Sequence, residues 1–164
     1  MSIYQLPVAL TDQHNQAVKL DRWAGHPVVI TLIYTGCTAA CPLTIAALQG
    51  IDAALTPATR AETRYLLVSM DPEHDTPEAL AALAVEHHLD DRWSLVRADE
   101  AGVRQIAAVL GVRYRKLDDG SFNHSTVLTL LDGQGAVQAR IDGLGEPHDA
   151  LVARANALVS PPPP

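Results

Sequence analysis

The chain has 164 residues and 48% hydrophobic content, enough to bury one core without disulfide or metal staples. Its formal net charge is −7, with no long run of Lys or Arg, which argues against nucleic acid or an anionic membrane surface and favours a cationic protein or a metal ion as partner. No run approaches the roughly 18 apolar residues of a membrane span, and Met1-Ser2-Ile3-Tyr4-Gln5-Leu6-Pro7 lacks the basic and apolar regions of an export signal, so the chain as it stands reads as soluble.

In chain order, residues 7–20 read as two short extended pieces about a polar turn, a hairpin-like lead-in that covers one side of a sheet. Residues 21–27 form a connector in which Trp23 joins the core and Gly25-His26-Pro27 makes a turn. Residues 28–34 are apolar, rich in β-branched side chains and without helical periodicity, the pattern of a central strand buried on both faces. Thr35 and Gly36 break that strand, Cys37 follows in the turn, and Pro42 suits the first position of a helix, where its missing N–H would be unpaired anyway. The helix continues through Leu43, Ala46, Ala47, Gly50, Ile51 and Leu55 and ends before Pro57. Residues 56–63 read as a polar loop, and residues 65–70 as a second buried strand that stops at Asp71-Pro72.

Thr76 as N-cap, Pro77 at the first helical position and Glu78 in the first turn mark a helix that runs to about Leu89. Residues 93–96 form a third strand, and Asp99 caps a helix with an apolar stripe of Val103, Ile106, Ala107 and Leu110, ended by Gly111. Residues 112–122 read as an irregular or hairpin excursion with Asp118-Asp119-Gly120 at its tip. Residues 126–131 and 136–141 pair about Asp132-Gly133-Gln134-Gly135 as an antiparallel hairpin. A last helix near residues 147–158 precedes a proline tail, 161–164, that reads as disordered. The order β-α-β-α-β-α-β-β-α predicts an α/β fold, a mixed central sheet flanked by helices with an N-terminal hairpin-like extension, forming one domain over residues 1–160.

Cys37 and Cys41 are the chain's two cysteines, and a disulfide closing so small a loop would constrain the unfolded chain little, so chemistry explains the pair better than stapling does. Their place at a helix N-terminus, where unpaired N–H groups and the macrodipole favour negative charge, predicts thiols that ionise more readily than free cysteine. Two thiolates can share one ion. Soft sulfur selects cuprous copper, zinc or an iron–sulfur cluster, and two sulfurs leave the site incomplete. Among seven histidines, His124 is the candidate third ligand, because Asn123-His124-Ser125 directly precedes a strand, at an edge where a loop can lean over the cysteine-bearing strand. His87-His88 fits a solvated helix end, Asp71 and His74 fit capping or loop shaping, Met70 fits the core, and Tyr34 and Tyr114 fit packing. The carboxylates read as helix caps and solvated faces, with no pair placed for acid–base hydrolysis.

Three segments together, Tyr34-Thr35-Gly36-Cys37-Thr38-Ala39-Ala40-Cys41-Pro42, Asp71-Pro72-Glu73-His74-Asp75-Thr76-Pro77 and Asn123-His124-Ser125 before a strand, resemble those of the Sco/SenC copper proteins of cytochrome c oxidase assembly. The resemblance runs over about residues 6–158 and implies a thioredoxin-like fold, with Cys37, Cys41 and His124 on the family's copper ligands. It implies a metallochaperone that passes copper to cytochrome c oxidase subunit II or another copper protein, in the periplasm and tethered by a membrane anchor absent from this chain. Many relatives have Pro after the first cysteine and an acidic residue between the two, where this chain has Thr38, Ala39 and Ala40. A second reading is a thiol–disulfide oxidoreductase in which Cys37 and Cys41 are redox-active and keep a partner's copper-binding cysteines reduced. Its thioredoxin-type relatives resemble one another in a two-residue cysteine gap and a cis-proline before the facing strand, and this chain has neither feature in sequence. A third, a peroxiredoxin-like peroxidase, leaves His124 and the Asp71 segment without a role.

Overall fold

The computed structural model describes residues 2–37 and 40–159. Inside its sheet lies β3 (Val28–Ile33), whose six residues are all buried, as an uninterrupted apolar run requires when both faces of a sheet are covered. The strand pairs in parallel with β4 (Arg64–Ser69), from Val28 opposite Arg64 to Ile33 opposite Ser69, and β4 pairs in parallel with β5 (Trp93–Arg97). On the other side of β3, β8 (Val127–Leu131) runs antiparallel and forms a hairpin with β9 (Val137–Asp142). The lead-in is a hairpin of β1 (Ala9–Asp12) and β2 (Ala17–Lys19), which completes a seven-stranded sheet in the order β2-β1-β5-β4-β3-β8-β9.

The lead-in does not cover a face of the sheet; it extends the edge. β1 pairs antiparallel with β5, and the Gln13 amide adds to the join, donating to the Trp93 carbonyl at 2.9 Å and accepting the Leu95 N–H at 3.1 Å. The turn behind it is held by Asp12, 2% exposed, which accepts the N–H groups of His14 and Gln16 and pairs with Arg22.

The sheet is flanked by α1 (Ala40–Ala54), α2 (Pro57–Glu62), α3 (Pro77–Glu86), α4 (Glu100–Leu110) and α5 (Asp149–Val159), a thioredoxin-like α/β arrangement. Residues 57–62 are a helix where the composition predicted a loop, because Thr56 accepts the Thr59 N–H and Pro57 supplies the first helical position. The same Thr-Pro start launches α3, and Asp99 caps α4 through the Gly102 N–H at 2.7 Å. α3 ends at Glu86, earlier than Leu89: His87 is its C-cap and His88 has φ 55°, so these two histidines lie past the last turn. Trp23 and Met70 are core residues at 5% and 3% exposure.

The excursion after α4 is a second, two-stranded sheet of β6 (Tyr114–Lys116) and β7 (Phe122–His124), with Tyr114 opposite His124. β3 and β4 run in the same direction, so the loops after them, carrying Cys37 and the Asp71 segment, leave the sheet side by side. The Met70 N–H donates to the Ile33 carbonyl at 2.7 Å, which ties the two exits together. The proline tail, like Thr38 and Ala39 between the cysteines, lies outside the described residues. Among the described residues no helix is long and apolar enough to cross a membrane.

Candidate metal centre

The chain turns sharply where β3 ends. The Cys37 N–H donates to the Tyr34 carbonyl at 3.1 Å, and α1 starts at Ala40, two residues before Pro42, so that Cys41 itself belongs to the first helical turn. Pro42 remains in that turn, where an N–H would have no carbonyl to meet. The Cys41 N–H does find a partner: it donates to the Cys37 Sγ at 3.2 Å. One of the helix's unpaired donors is thus directed at a thiol sulfur, the arrangement that favours a thiolate or a thiolate-bound ion.

The loop is fixed from the neighbouring strand exit. Asp75, fully buried, accepts the Thr35 N–H at 3.2 and 3.1 Å on its two oxygens, the Thr35 hydroxyl, and the Ser69 hydroxyl at 2.6 Å. Sequence reasoning passed over Asp75 as a separate residue. Its available signal was position, directly before the Thr76 cap and six residues after the β4 terminus.

His124 arrives on the β6–β7 hairpin, which Tyr34 holds. The Tyr34 ring packs on Phe122 at 5.0 Å between centroids and meets the His124 ring edge-on at 6.1 Å and 81°, while its hydroxyl accepts the Phe122 N–H at 3.4 Å. At the other strand of the hairpin Lys116 pairs with Glu73 at 3.1 Å. In consequence the sulfurs of Cys37 and Cys41 and a ring nitrogen of His124 all lie within 4.8 Å of one another. Ligand bonds of roughly 2.0–2.3 Å to a first-row metal can span such a triangle after a small contraction.

The two thiols differ in environment. Cys41 is 2% exposed, whereas Cys37 and His124 are half-buried. Burial pushes the Cys41 thiol up to about 12, with the neighbouring Cys37 and Asp75 acting in the same direction against a hydrogen bond from the Tyr34 backbone. The expectation that both thiols ionise more readily than free cysteine therefore fails at Cys41, because loss of water around the sulfur outweighs the helix terminus. A cation that takes the place of its proton relieves the same penalty.

Asp71 and His74, expected to shape the loop, do so: His74 Nδ1 lies 2.9 Å from the Asp71 carboxylate. Their ligand atoms and that of Glu73 also lie within 4.8 Å, but the contacts there are internal, with Glu73 engaged by Lys116. Tyr34 and Tyr114 pack, Tyr114 with its ring 6.3 Å from that of Phe122.

A protein of Stutzerimonas stutzeri is 24% identical over 136 residues, and an SCO2-like protein of Rickettsia prowazekii is 24% identical over 135 residues. These matches cover 80% and 79% of this chain, which spans 66% and 64% of the length of these curated relatives. Among solved structures, copper-bound ScoI of Bradyrhizobium japonicum superposes with a TM-score of 0.77 at 23% identity, covering 93% of this chain and 98% of that one. At these identities the likeness in structure speaks for the fold. The sequence model described as SCO1/SenC matches residues 2–160, a span that holds the cysteine loop, the Asp71 segment and the His124 hairpin alike, and the chain belongs to the SCO1/SenC family.

Proposed function

We propose that this chain is a copper-binding metallochaperone that holds one ion on Cys37, Cys41 and His124 and hands it to a copper site of cytochrome c oxidase, that of subunit II. The observation that carries the reading is the meeting of two sulfurs and one imidazole nitrogen within 4.8 Å at the end of β3. Two soft donors and one borderline donor suit cuprous ion, and the added nitrogen suits cupric ion. Family membership and copper-bound relatives of the same fold support the choice of copper.

Transfer is a ligand exchange. A sulfur or nitrogen donor of the acceptor binds the ion, a group of this chain lets go and takes up a proton from solvent, and the ion keeps its oxidation state. Cys37 and His124 are the half-buried groups where an incoming donor gains access, while buried Cys41 holds the ion last. The net charge of −7 suits a cationic acceptor surface. The site of action in this reading is the periplasm, at the membrane; attachment to the membrane is supported by a solved SCO1/SenC family lipoprotein of Bacillus anthracis with a TM-score of 0.82 and 20% identity, covering 92% of this chain and 91% of that one. Cell fractionation checks it: recovery of the natural product from the cytosol would overturn the compartment.

The test of the copper site is anaerobic titration of reduced protein with cuprous and cupric ion, wild type beside His124→Ala. The expected result is one ion per chain, cuprous binding that survives the substitution and cupric binding that is lost with it. Equal loss in both oxidation states would remove the division of labour among the ligands, and no uptake by wild type would remove the function. The Cys41 N–H directed at Cys37 Sγ also favours Cys37 as a nucleophile, which keeps thiol–disulfide exchange as the second reading. Reduction of a partner's disulfide by wild type, with no copper taken up, would decide for it.

A further inference from the structure

A carboxylate with no exposure and no cation among its described partners calls for a reason, since burying such a group is costly unless every lone pair is used. Asp75 is this group: its bonds run to the Thr35 N–H, the Thr35 hydroxyl and the Ser69 hydroxyl. Ser69 is the last residue of β4 and Thr35 stands two residues before Cys37, so Asp75 clamps the Cys37 loop onto the exit of the neighbouring strand. The Ser69 hydroxyl in turn accepts the Asp71 N–H at 3.0 Å, which makes the clamp part of the chain path that leads into α3.

We propose that Asp75 is the positioning residue of the site: it fixes the Cys37 loop so that the first sulfur faces Cys41 and His124 before any cargo arrives. Asp75 does not touch the ion. Its effect is preorganisation, removing the need to order the loop at the moment of binding. The inference rests on the copper-binding reading for its consequence, while its structural content concerns the apo protein.

The experiment compares wild type with Asp75→Asn and, as a second variant that leaves the buried carboxylate in place, Thr35→Ala. Asp75→Asn keeps the shape but exchanges an acceptor oxygen for a donor, so one of the three donors loses its acceptor. Residue-resolved amide exchange of the reduced apo proteins is expected to accelerate at positions 35 and 37 by roughly tenfold or more in both variants, the scale of a lost charge-assisted hydrogen bond. The β3 amides of Ile30 and Thr31 should keep their protection. The cupric dissociation constant should rise by a similar factor, with an altered sulfur-to-copper charge-transfer band, and the two substitutions combined should cost less than the product of their separate effects.

Unchanged exchange at Cys37, or equal acceleration along all of β3, would overturn the proposal, because Asp75 would then be a general structural residue. A loosened loop with cupric affinity and spectrum unchanged would overturn it as well. If wild type takes up no copper, the function proposed above falls, and the exchange comparison still decides whether Asp75 fixes the loop.

Discussion

At the scale of single residues, the site sets a buried thiol beside a half-buried one, and the buried one has a measurable signature. The Cys41 thiol rises from its ordinary value of 9.0 to about 12 in the folded chain, so the folded state holds this proton more tightly than the unfolded state does. The stability this contributes is complete below pH 9 and is lost as pH rises from 9 towards 12. At one pH unit above the ordinary value the loss is about 1.4 kcal/mol, or roughly 3 °C in melting temperature for a chain of this size. Melting curves of the reduced apo protein at pH 7 and pH 10 should show the drop in wild type, with a smaller drop in Cys41→Ala. Equal alkaline destabilisation of the two would mean that Cys41 is ionised in the folded protein. Asp75 illustrates the complementary case, a carboxylate whose role comes from the groups it holds.

At the scale of elements, each component of the site is delivered by a different structure, and helix ends do much of the delivery. α1 presents Cys41 in its first turn, the β3 exit presents Cys37, and the β6–β7 hairpin presents His124. That hairpin follows directly on the end of α4, where Gly111 adopts φ 68° and accepts, with Leu110, the guanidinium of Arg140 from β9 at 3.0 and 2.6 Å. A Cβ at Gly111 would stand 2.4 Å from Arg140 Nη1 in a backbone conformation that side chains disfavour. Gly111→Ala is expected to destabilise the protein by about 1–2 kcal/mol. Chemical denaturation measures this, and an effect within error of zero would show that the helix end repacks freely. The Lys116–Glu73 pair that bridges the hairpin to the Asp71 loop is exposed, and exposed pairs add little to stability. Tyr34, packed on Phe122 and His124, is the firmer hold.

At the scale of the whole molecule, the core is independent of the metal. The strands β3, β4, β5 and β8 bury long aliphatic runs, and Tyr65 stacks on Trp93 at 4.0 Å, so no ion is needed to complete the fold. Cys37→Ser should therefore leave the melting temperature of the apo protein within a few degrees of wild type while lowering active oxidase in cells, with partial rescue by added copper. Normal oxidase activity in this variant would separate the site from that role. A collapse in apo stability would instead show that the thiols belong to the core.

The sequence by itself determined most of the order of elements, the fully buried strand β3, the caps at Thr76, Asp99 and Gly111, and the cysteine pair at a helix start, because each follows from local periodicity, turn chemistry or spacing; that β4 and not β3 holds the middle of the sheet came from strand pairing. From its place directly before a strand, and then by resemblance, it also offered His124 as the third ligand. Short elements were less legible: α2 hid in a polar segment, and α3 stopped before His87 where composition alone allowed another turn. Only the tertiary structure decided that the lead-in hairpin joins the sheet edge through Gln13, since strand pairing depends on partners far along the chain. Only it brought Asp75 under Thr35 and pressed Cys41 out of water, raising a thiol that helix position predicted would fall. The physical reason is common to these cases: spacing specifies what a segment can form, while burial and long-range hydrogen bonds depend on which segments meet.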